Sequence, residues 1–224
     1  MQTNPRQSAP PYFRYALRIL RRFPNFDQPF IGALRRKAVG LLQLSSASRV
    51  LDVGCGSGAS FPYLSNAVGQ AGQVVGVEIS PEVAALAQRR IEHNRWTNVR
   101  VMVGDASTIV VDGKFDGLLL FGAPDIYASP EAINNIRHYL NGNARVVAFG
   151  SKLTNRPGGA GLNVILQSLM RLSFASTPKL GFEPWEPLGA ISGDLKVQEY
   201  FYGGFFLAAG SFRPQACCTA ENSG

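Results

Sequence analysis

The chain has 224 residues, of which 46% are hydrophobic and 17% are charged. This composition excludes a disordered chain, a collagen-like chain and a multi-span membrane protein, and the length suits one domain with an appendage at most. The formal net charge is +7, but the first 40 residues carry all of the excess, with eight basic side chains and one acid, Asp27. Because a nucleic-acid-binding protein would spread its charge over its main surface, this distribution argues against nucleic acid as a partner.

Cysteine usage and hydropathy predict a cytoplasmic protein without a bound metal. The three cysteines, Cys55, Cys217 and Cys218, follow neither a disulfide framework nor a zinc-ligand spacing. No run approaches about 20 apolar residues, and the N-terminus lacks the apolar core and cleavage site of a secretory signal. The arginine-bearing N-terminus, free of acids before Asp27, leaves a mitochondrial transit peptide open as an alternative.

The first 44 residues predict an N-terminal helical cap. Residues 12–23 form a predicted helix with an apolar side and a basic side, and Pro24 ends it. The apolar side carries Tyr12, Tyr15, Ala16, Ile19 and Phe23, and the basic side carries Arg14, Arg18, Arg21 and Arg22. A second helix is predicted over residues 28–43.

Residues 45–213 predict an α/β domain of the doubly wound kind. Strands are predicted at residues 49–53, 73–78, 99–103, 115–121 and 145–149, and helices at residues 57–68, 81–94 and 129–140. Short apolar runs that alternate with amphipathic helices indicate a mostly parallel sheet with helices on both faces.

The C-terminal part departs from this alternation. Residues 155–193 are predicted to form an insertion, with a glycine-rich loop followed by an apolar helix over residues 162–174. Two strands around the glycines at residues 203–204 predict an antiparallel hairpin over residues 195–209. Residues 214–224 are polar and are predicted to be disordered.

The most specific motif is DVGCGSG at residues 52–58, which runs from the first strand into the helix that follows. Glycines there permit a tight turn and let a ligand approach the backbone, and the helix N-terminus offers free N–H groups. Gly54, Gly56 and Ala59 also satisfy the relaxed dinucleotide pattern, and Glu78 ends the second strand, where a carboxylate binds ribose hydroxyls. That match alone leaves NAD open as the ligand.

Three further features favour a different ligand of nucleotide type. Asp52 lies two residues before the first glycine, where a carboxylate suits an amino group and a sulfonium better than a pyrophosphate. Gly58 adds a third glycine at the same two-residue spacing. Asp105 follows the third strand, where it can accept a hydrogen bond from an exocyclic amine such as that of adenine.

Together these residues resemble the class I S-adenosylmethionine-dependent methyltransferase family, over roughly residues 48–149 and more loosely over residues 195–209. The resemblance implies a seven-stranded sheet with an antiparallel last strand, and S-adenosylmethionine as the cofactor. It implies that Asp52 faces the methionine part, that Glu78 takes the ribose hydroxyls and that Phe121 lies beside the transferred methyl group. The full set of implied cofactor-binding residues is Asp52, Gly54, Cys55, Gly56, Gly58, Glu78, Ile79, Asp105, Ala106 and Phe121, of which Ile79, Asp105 and Ala106 would contact adenine.

A second resemblance is to bacterial small-molecule and lipid methyltransferases, such as those that methylate quinones and phospholipid headgroups. It rests on residues 31–58, the PWE segment at residues 184–186 and YFYGGFFLAAG at residues 200–210. It implies a small-molecule or lipid acceptor. The apolar side chains of the N-terminal helix and of residues 155–193 independently predict a lid over a hydrophobic or lipid-like acceptor, with ordinary core as the alternative.

No catalytic base is predicted, since positioning of the acceptor can supply much of the acceleration of an in-line methyl transfer. The loop after the fourth strand carries Asp125 and Tyr127, which either orient an acceptor or serve as turn and packing residues. Tyr12 and Tyr15 of the N-terminal helix are the other candidate acceptor contacts. His93 and His138 both fall away from the strand ends where ligands gather.

The basic side of the N-terminal helix has three interpretations: it docks on an anionic membrane surface, it meets an anionic acceptor, or it is a solvated face. The sequence therefore predicts a methyltransferase of a small hydrophobic acceptor, and peripheral membrane contact through this helix stays open as one of the three interpretations. A protein or RNA methyltransferase, and a non-catalytic cofactor-binding protein of the same fold, are the alternatives.

Overall fold

The computed structural model describes residues 28–173 and 180–214. Along this part of the chain the helices and strands alternate as α1 Gln28–Leu41, β1 Arg49–Val53, α2 Phe61–Val68, β2 Gln73–Glu78, α3 Pro81–Asn94, β3 Val99–Val103, β4 Phe115–Phe121, α4 Pro124–Tyr127, α5 Pro130–Ile136, β5 Leu140–Ser151, α6 Ala160–Ser173, α7 Glu186–Gly189, β6 Lys196–Tyr200 and β7 Phe205–Ser211. The predicted helix over residues 12–23 and the predicted tail beyond residue 214 lie outside the described residues.

The seven strands form a single sheet in the order β3-β2-β1-β4-β5-β7-β6. Strands β1 to β5 pair in parallel with one another, and β7 runs antiparallel between β5 and β6. This arrangement confirms the predicted fold class, including the antiparallel last strand. The strand order reverses between β1 and β4, and in open α/β sheets the carboxyl edge at such a point is where ligands bind.

Helices cover both faces of the sheet and create two apolar cores. One core joins α1, α2 and α3 to the face that carries Val50, Leu119, Phe121 and Phe149. The other joins α4, α5 and α7 to the opposite face, which carries Leu51, Leu118 and Phe206. Because side chains alternate along a strand, Asp52 lies on the same face as Val50, which is the face that α1 covers.

Helix α1, the first helix of the described residues, is bonded to the C-terminal hairpin of β6 and β7 across that face. Ala38 and Val39 of α1, and Leu42 directly after it, are buried in the core. The ammonium of Lys37 donates to Gln198 Oε1 at 2.8 Å and to the Tyr200 hydroxyl at 2.9 Å. The first described helix therefore rests on strands from both halves of the chain.

Three elements differ most in their boundaries from the sequence-based prediction. Helix α2 begins at Phe61 rather than residue 57, because the glycine turn extends to residue 60. Helix α5 ends at Ile136, and a 3₁₀ turn, Arg137–Tyr139, follows it. Strand β5 has 12 residues rather than five, because β7 pairs with it from Arg145 to Ser151 and Leu140 pairs with Phe115 on the other side.

Candidate functional site

The turn between β1 and α2 is built from three glycines with left-handed backbones, at φ of 74° for Gly54, 57° for Gly56 and 76° for Gly58. A Cβ at Gly54 would lie 2.7 Å from that of Ala123, and a Cβ at Gly58 would lie 2.5 Å from the ring of Phe61. A Cβ at Gly56 would meet nothing within 4 Å. Gly54 and Gly58 thus satisfy internal packing, whereas Gly56 opens the backbone to a ligand.

Cys55 anchors this turn without offering a reactive thiol. The backbone N–H groups of Gly54 and Cys55 both donate to the carbonyl of Val77 on β2, at 2.8 and 3.0 Å. The Cys55 side chain is buried, and this burial raises the pKa of the thiol well above its ordinary value. The thiol therefore stays protonated, and the contribution of Cys55 to the turn comes from its backbone and its packing.

Asp52 is a buried carboxylate with one oxygen that has no partner. It is 1% exposed, and its Oδ2 accepts no hydrogen bond. Burial raises the pKa of Asp52 from 3.8 to about 7, the nearby Arg35 guanidinium opposes this rise and Glu78 adds to it. Since an unpaired buried carboxylate is costly, the site is complementary to a positively charged ligand group.

Glu78 joins the end of β2 to the glycine turn. Its Oε2 accepts from the Gly56 N–H at 3.1 Å, and its Oε1 accepts from the Ser80 N–H at 3.0 Å. Burial raises the pKa of Glu78, and the N–H groups of Ser80 and Gly56 oppose this rise. Each carboxylate oxygen has a second lone pair, so the side chain can also accept from hydroxyls, and the next residue, Ile79, is 39% exposed beside it.

The loop after β3 is ordered around Asp105. The Asp105 Oδ1 accepts from the N–H and the hydroxyl of Ser107 at 2.9 and 2.7 Å. The buried Ala106 is held through its carbonyl, which accepts from the Asn135 amide at 3.0 Å. The preceding Gly104 N–H donates to the carbonyl of Glu78 at 3.0 Å. Asp52, Glu78 and Asp105 are therefore all at the carboxyl edge of β1, β2 and β3, as predicted.

Phe121 ends β4 and lies beneath a side chain that the sequence-based prediction missed. Its ring stacks on that of Phe149 with centroids 4.3 Å apart, and the Cζ of Arg35 lies 4.0 Å from the Phe121 centroid. Arg35 is 5% exposed and its Nη1 donates to the Ser60 hydroxyl at 2.9 Å. Arg35 precedes Val39 by one helical turn on the buried side of α1, and this spacing was the available signal.

The candidate acceptor residues differ in position. Asp125 is exposed on α4. Tyr127 is only 1% exposed and packs edge-to-face on Phe206 at 5.4 Å, so it fits the packing interpretation rather than acceptor contact; burial raises its pKa. Tyr12 and Tyr15 lie outside the described residues. His93 and His138 are exposed on the ends of helical segments.

The described residues offer neither a metal-binding cluster nor a membrane-spanning helix. Within residues 28–173 and 180–214, no three His, Cys, Asp or Glu side chains are grouped so that they could hold a metal ion. In the same part of the chain, no helix combines the length and apolar character that crossing a bilayer requires. A cavity of about 430 Å³ opens at the opposite, amino edge of the sheet, lined by residues 42–48 with Asp116, Asn143 and Arg145, and it is separate from the glycine turn.

Comparisons with known proteins agree with this geometry. A methyltransferase-domain family model matches residues 50–143. A probable cobalt-precorrin-6B C(15)-methyltransferase (decarboxylating) of Thermoplasma acidophilum is 28% identical over 68% of this chain and 79% of its own length. A protein-L-isoaspartate O-methyltransferase of Koribacter versatilis is 35% identical over 57% of this chain, which spans only 53% of that protein.

Among solved structures, a putative methyltransferase in complex with the Haloferax volcanii Trm112 methyltransferase activator matches with a TM-score of 0.69. The match covers 93% of this chain and all of that chain at 16% identity, so it establishes the fold alone. The family model and the curated relatives support an S-adenosylmethionine-dependent methyltransferase. A methyltransferase domain of this kind implies S-adenosylmethionine as the methyl donor.

The residues of the site fit that cofactor. The free Oδ2 of Asp52 suits an ammonium group, and the open space at Gly56 would admit a ligand against the backbone. The exposed face of Ile79 suits an adenine ring, and both S-adenosylmethionine and NAD contain one. The buried carboxylate of Asp52 distinguishes S-adenosylmethionine from NAD. It would repel the pyrophosphate of NAD, and it is complementary to the ammonium of an amino acid.

Proposed function

We propose that this methyltransferase transfers a methyl group from S-adenosylmethionine to a small, hydrophobic or lipid-like acceptor. The observation that carries the proposal is a row of aromatic rings on the α1 side of the sheet. Phe121, Phe149 and Phe205 come from the adjacent strands β4, β5 and β7, with successive centroids 4.3 and 6.0 Å apart. Phe121 and Phe149 are buried, and the partly buried Phe205 ends the row. An aromatic wall of this kind beside the cofactor site favours an apolar acceptor.

The cofactor, when bound, supplies a methyl group activated by a sulfonium. In this proposal Asp52 accepts from the ammonium of its methionine part, and Glu78 accepts from its ribose hydroxyls. Asp105 and Ala106 recognise the adenine edge, Ile79 packs on the ring, and Phe121 excludes water from the methyl group. The backbone of Gly54 to Gly58 provides the close approach that these contacts require.

The acceptor is held rather than chemically activated in this proposal. Both histidines of the chain are exposed away from the carboxyl edge, and the buried Tyr127 has a pKa raised by burial, so neither type of side chain serves as a base. Positioning against the methyl group then supplies the rate acceleration. The exposed apolar side chains of Val164, Ile165 and Phe182 support an apolar covering of the acceptor by residues 155–193.

Calorimetric titration tests the cofactor assignment. We expect S-adenosylmethionine and S-adenosylhomocysteine to bind the protein with measurable heat, and NAD to give none, because only the former present an ammonium to Asp52. Heat with NAD and none with S-adenosylmethionine would contradict the proposal.

A protein acceptor is the second candidate, and the similarity to a protein-L-isoaspartate O-methyltransferase favours it. Incubation of the enzyme with a cell extract and methyl-labelled S-adenosylmethionine separates the two candidates. Label in the organic-solvent extract supports the small hydrophobic acceptor, and label in the precipitated protein supports the second candidate.

Peripheral membrane contact through the basic side of residues 12–23 belongs to the proposed function. If these arginines bind anionic headgroups, we expect the wild type to float with phosphatidylglycerol-containing liposomes and an Arg18/Arg21/Arg22 alanine variant to remain at the bottom of the gradient. Liposomes of phosphatidylcholine alone are the control for charge. Equal recovery of both proteins with the anionic liposomes would remove this contact.

A further inference from the structure

The turn between β6 and β7, residues 201–204, presents two aromatic side chains to solvent on a strained backbone; we call it the hairpin tip. Phe201 and Tyr202 have left-handed backbones, at φ of 49° and 55°, a region that bulky residues avoid. They are 61% and 72% exposed, so the strained backbone gains them little burial. Aromatic residues that are both strained and exposed are typical of a contact surface.

Hydrogen bonds hold the hairpin tip in this conformation. The Tyr202 carbonyl accepts from the hydroxyl of the buried Thr154 at 2.7 Å. The Lys152 N–H donates to the Gly204 carbonyl at 2.9 Å, and the Gly204 N–H donates to the Phe201 carbonyl at 3.0 Å. The two rings therefore extend from a turn that is bonded to the loop after β5 and to itself.

The hairpin tip is continuous with the aromatic row beside the cofactor site. Beyond Phe205, the ring of Phe201 continues the row to the protein surface, with its centroid 5.7 Å from that of Phe205. Helix α6 contacts the hairpin at Gly204, and its outer side carries the exposed Val164 and Ile165. Apolar side chains thus extend from the cofactor site to an exposed surface.

Basic side chains flank the exposed rings. Lys37 donates to the neutral Tyr200 hydroxyl, directly before the hairpin tip, and its ammonium lies 5.5 Å from the Tyr200 ring. On the other face of the hairpin, Lys152 and Arg156 both pair with Glu199, each at 2.5 Å. These contacts bring three cations and one carboxylate to this end of the hairpin. Aromatic rings between basic side chains are complementary to a bilayer surface with anionic headgroups.

We propose that the hairpin tip docks on an anionic lipid surface, from which a lipid-like acceptor reaches the aromatic row. The inference rests on the proposed function for the class of acceptor, and it adds an interaction surface separate from residues 12–23. A second copy of the chain is a poorer occupant, because a symmetric contact would place the same basic side chains against each other.

Vesicle flotation of the full chain tests the docking. The tip variant Phe201→Asn/Tyr202→Asn removes both rings, and Asn tolerates a left-handed backbone, so the fold is kept. With vesicles of phosphatidylglycerol and phosphatidylcholine in equal amounts, we expect the lipid concentration that binds half of the protein to rise about tenfold or more. Val110→Asn is the matched control, because Val110 is 74% exposed and follows β3 at the opposite edge of the sheet. It should bind as the wild type does.

A fluorescent variant separates contact at the hairpin tip from docking through residues 12–23 alone. In Tyr202→Trp we expect a blue shift of emission on adding these vesicles, and quenching by brominated lipids in excess of that seen with the wild type. Val110→Trp should show neither change beyond the wild type.

Equal binding of the anionic vesicles by the wild type and the tip variant, or binding by neither, would overturn the proposal. A wild type that sediments as a dimer, with a monomeric tip variant, would also overturn it, since the hairpin tip would then join two copies. Calorimetric titration with S-adenosylhomocysteine keeps this proposal apart from the proposed function. The tip variant should bind that ligand as the wild type does, and a wild type that does not bind it would contradict the proposed function, whereas the vesicles alone decide the docking.

Discussion

Replacing Asp52 by Asn is expected to weaken S-adenosylhomocysteine binding by about 100-fold or more, the effect of removing one member of a buried charge pair. The same substitution is expected to stabilise the ligand-free protein at pH 8. Burial raises the pKa of Asp52 from 3.8 to about 7, so the folded protein binds a proton more tightly than the unfolded chain. Stability therefore falls as the pH rises from about 4 to about 7, and the Asp52→Asn substitution removes this loss, which amounts to at most about 4 kcal/mol.

Urea unfolding at pH 5 and pH 8 measures this difference. The free energy of unfolding of Asp52→Asn should exceed that of the wild type by more at pH 8 than at pH 5. Asp112→Asn removes an exposed carboxylate in the turn before β4 and should leave both the difference and the binding unchanged. If Asp52→Asn binds S-adenosylhomocysteine as the wild type does, the ammonium contact assigned to Asp52 is wrong.

Binding should itself depend on pH for the same reason. Because Asp52 must be ionised to accept from an ammonium, the affinity of the wild type for S-adenosylhomocysteine should decrease as the pH falls below about 7, by up to about tenfold per pH unit. The Asp52→Asn variant should show a flatter profile over the same range.

Replacing Gly56 by Val is expected to weaken cofactor binding strongly while the protein still folds. A side chain there meets open space in the ligand-free protein, so the variant should fold at a cost of about 1–3 kcal/mol for the left-handed backbone. The added methyl groups would occupy the space that a bound cofactor needs. We expect about 100-fold weaker binding of S-adenosylhomocysteine, measured by calorimetry.

Gly158→Val is the matched control for backbone strain. Gly158 also has a positive φ, of 84°, and a Cβ there meets nothing within 4 Å, but it lies in the loop before α6. Its binding should match that of the wild type at a similar loss of stability. Comparable binding by Gly56→Val and the wild type would show that the cofactor does not approach the backbone at this glycine.

The fold, and the positions of the glycines and acids of the candidate cofactor site, could be predicted because their signals are local. The glycine spacing, the apolar strands and the acids at the strand ends each follow from neighbouring residues, and the sheet order agrees with them. Arg35 could not be placed in the same way. It counts as surface charge by composition, and only the packing of α1 against β4 and α2 makes it a buried residue.

Long-range pairing explains the other differences. The length of β5 depends on β7, which is more than 50 residues later in the chain. Tyr127 follows a turn whose position after β4 is typical of a ligand-binding loop. Its ring nevertheless packs in the core, because Phe206 and Gly150 lie beneath it. In both cases the packing partner is distant in sequence, so the local sequence pattern does not predict the contact.

The two hydrogen bonds from Lys37 on α1 to Gln198 and Tyr200 on β6 affect how the chain folds during its synthesis on the ribosome. The strands that carry Asp52, Glu78 and Phe121 are complete early, but the surface on which α1 rests includes β6 and β7. Part of the surface that covers α1 is therefore complete only when the last strands of the described chain have been made. Such pairing between distant segments slows folding, and a nascent chain that stalls before residue 211 would leave part of the apolar side of α1 open to chaperones.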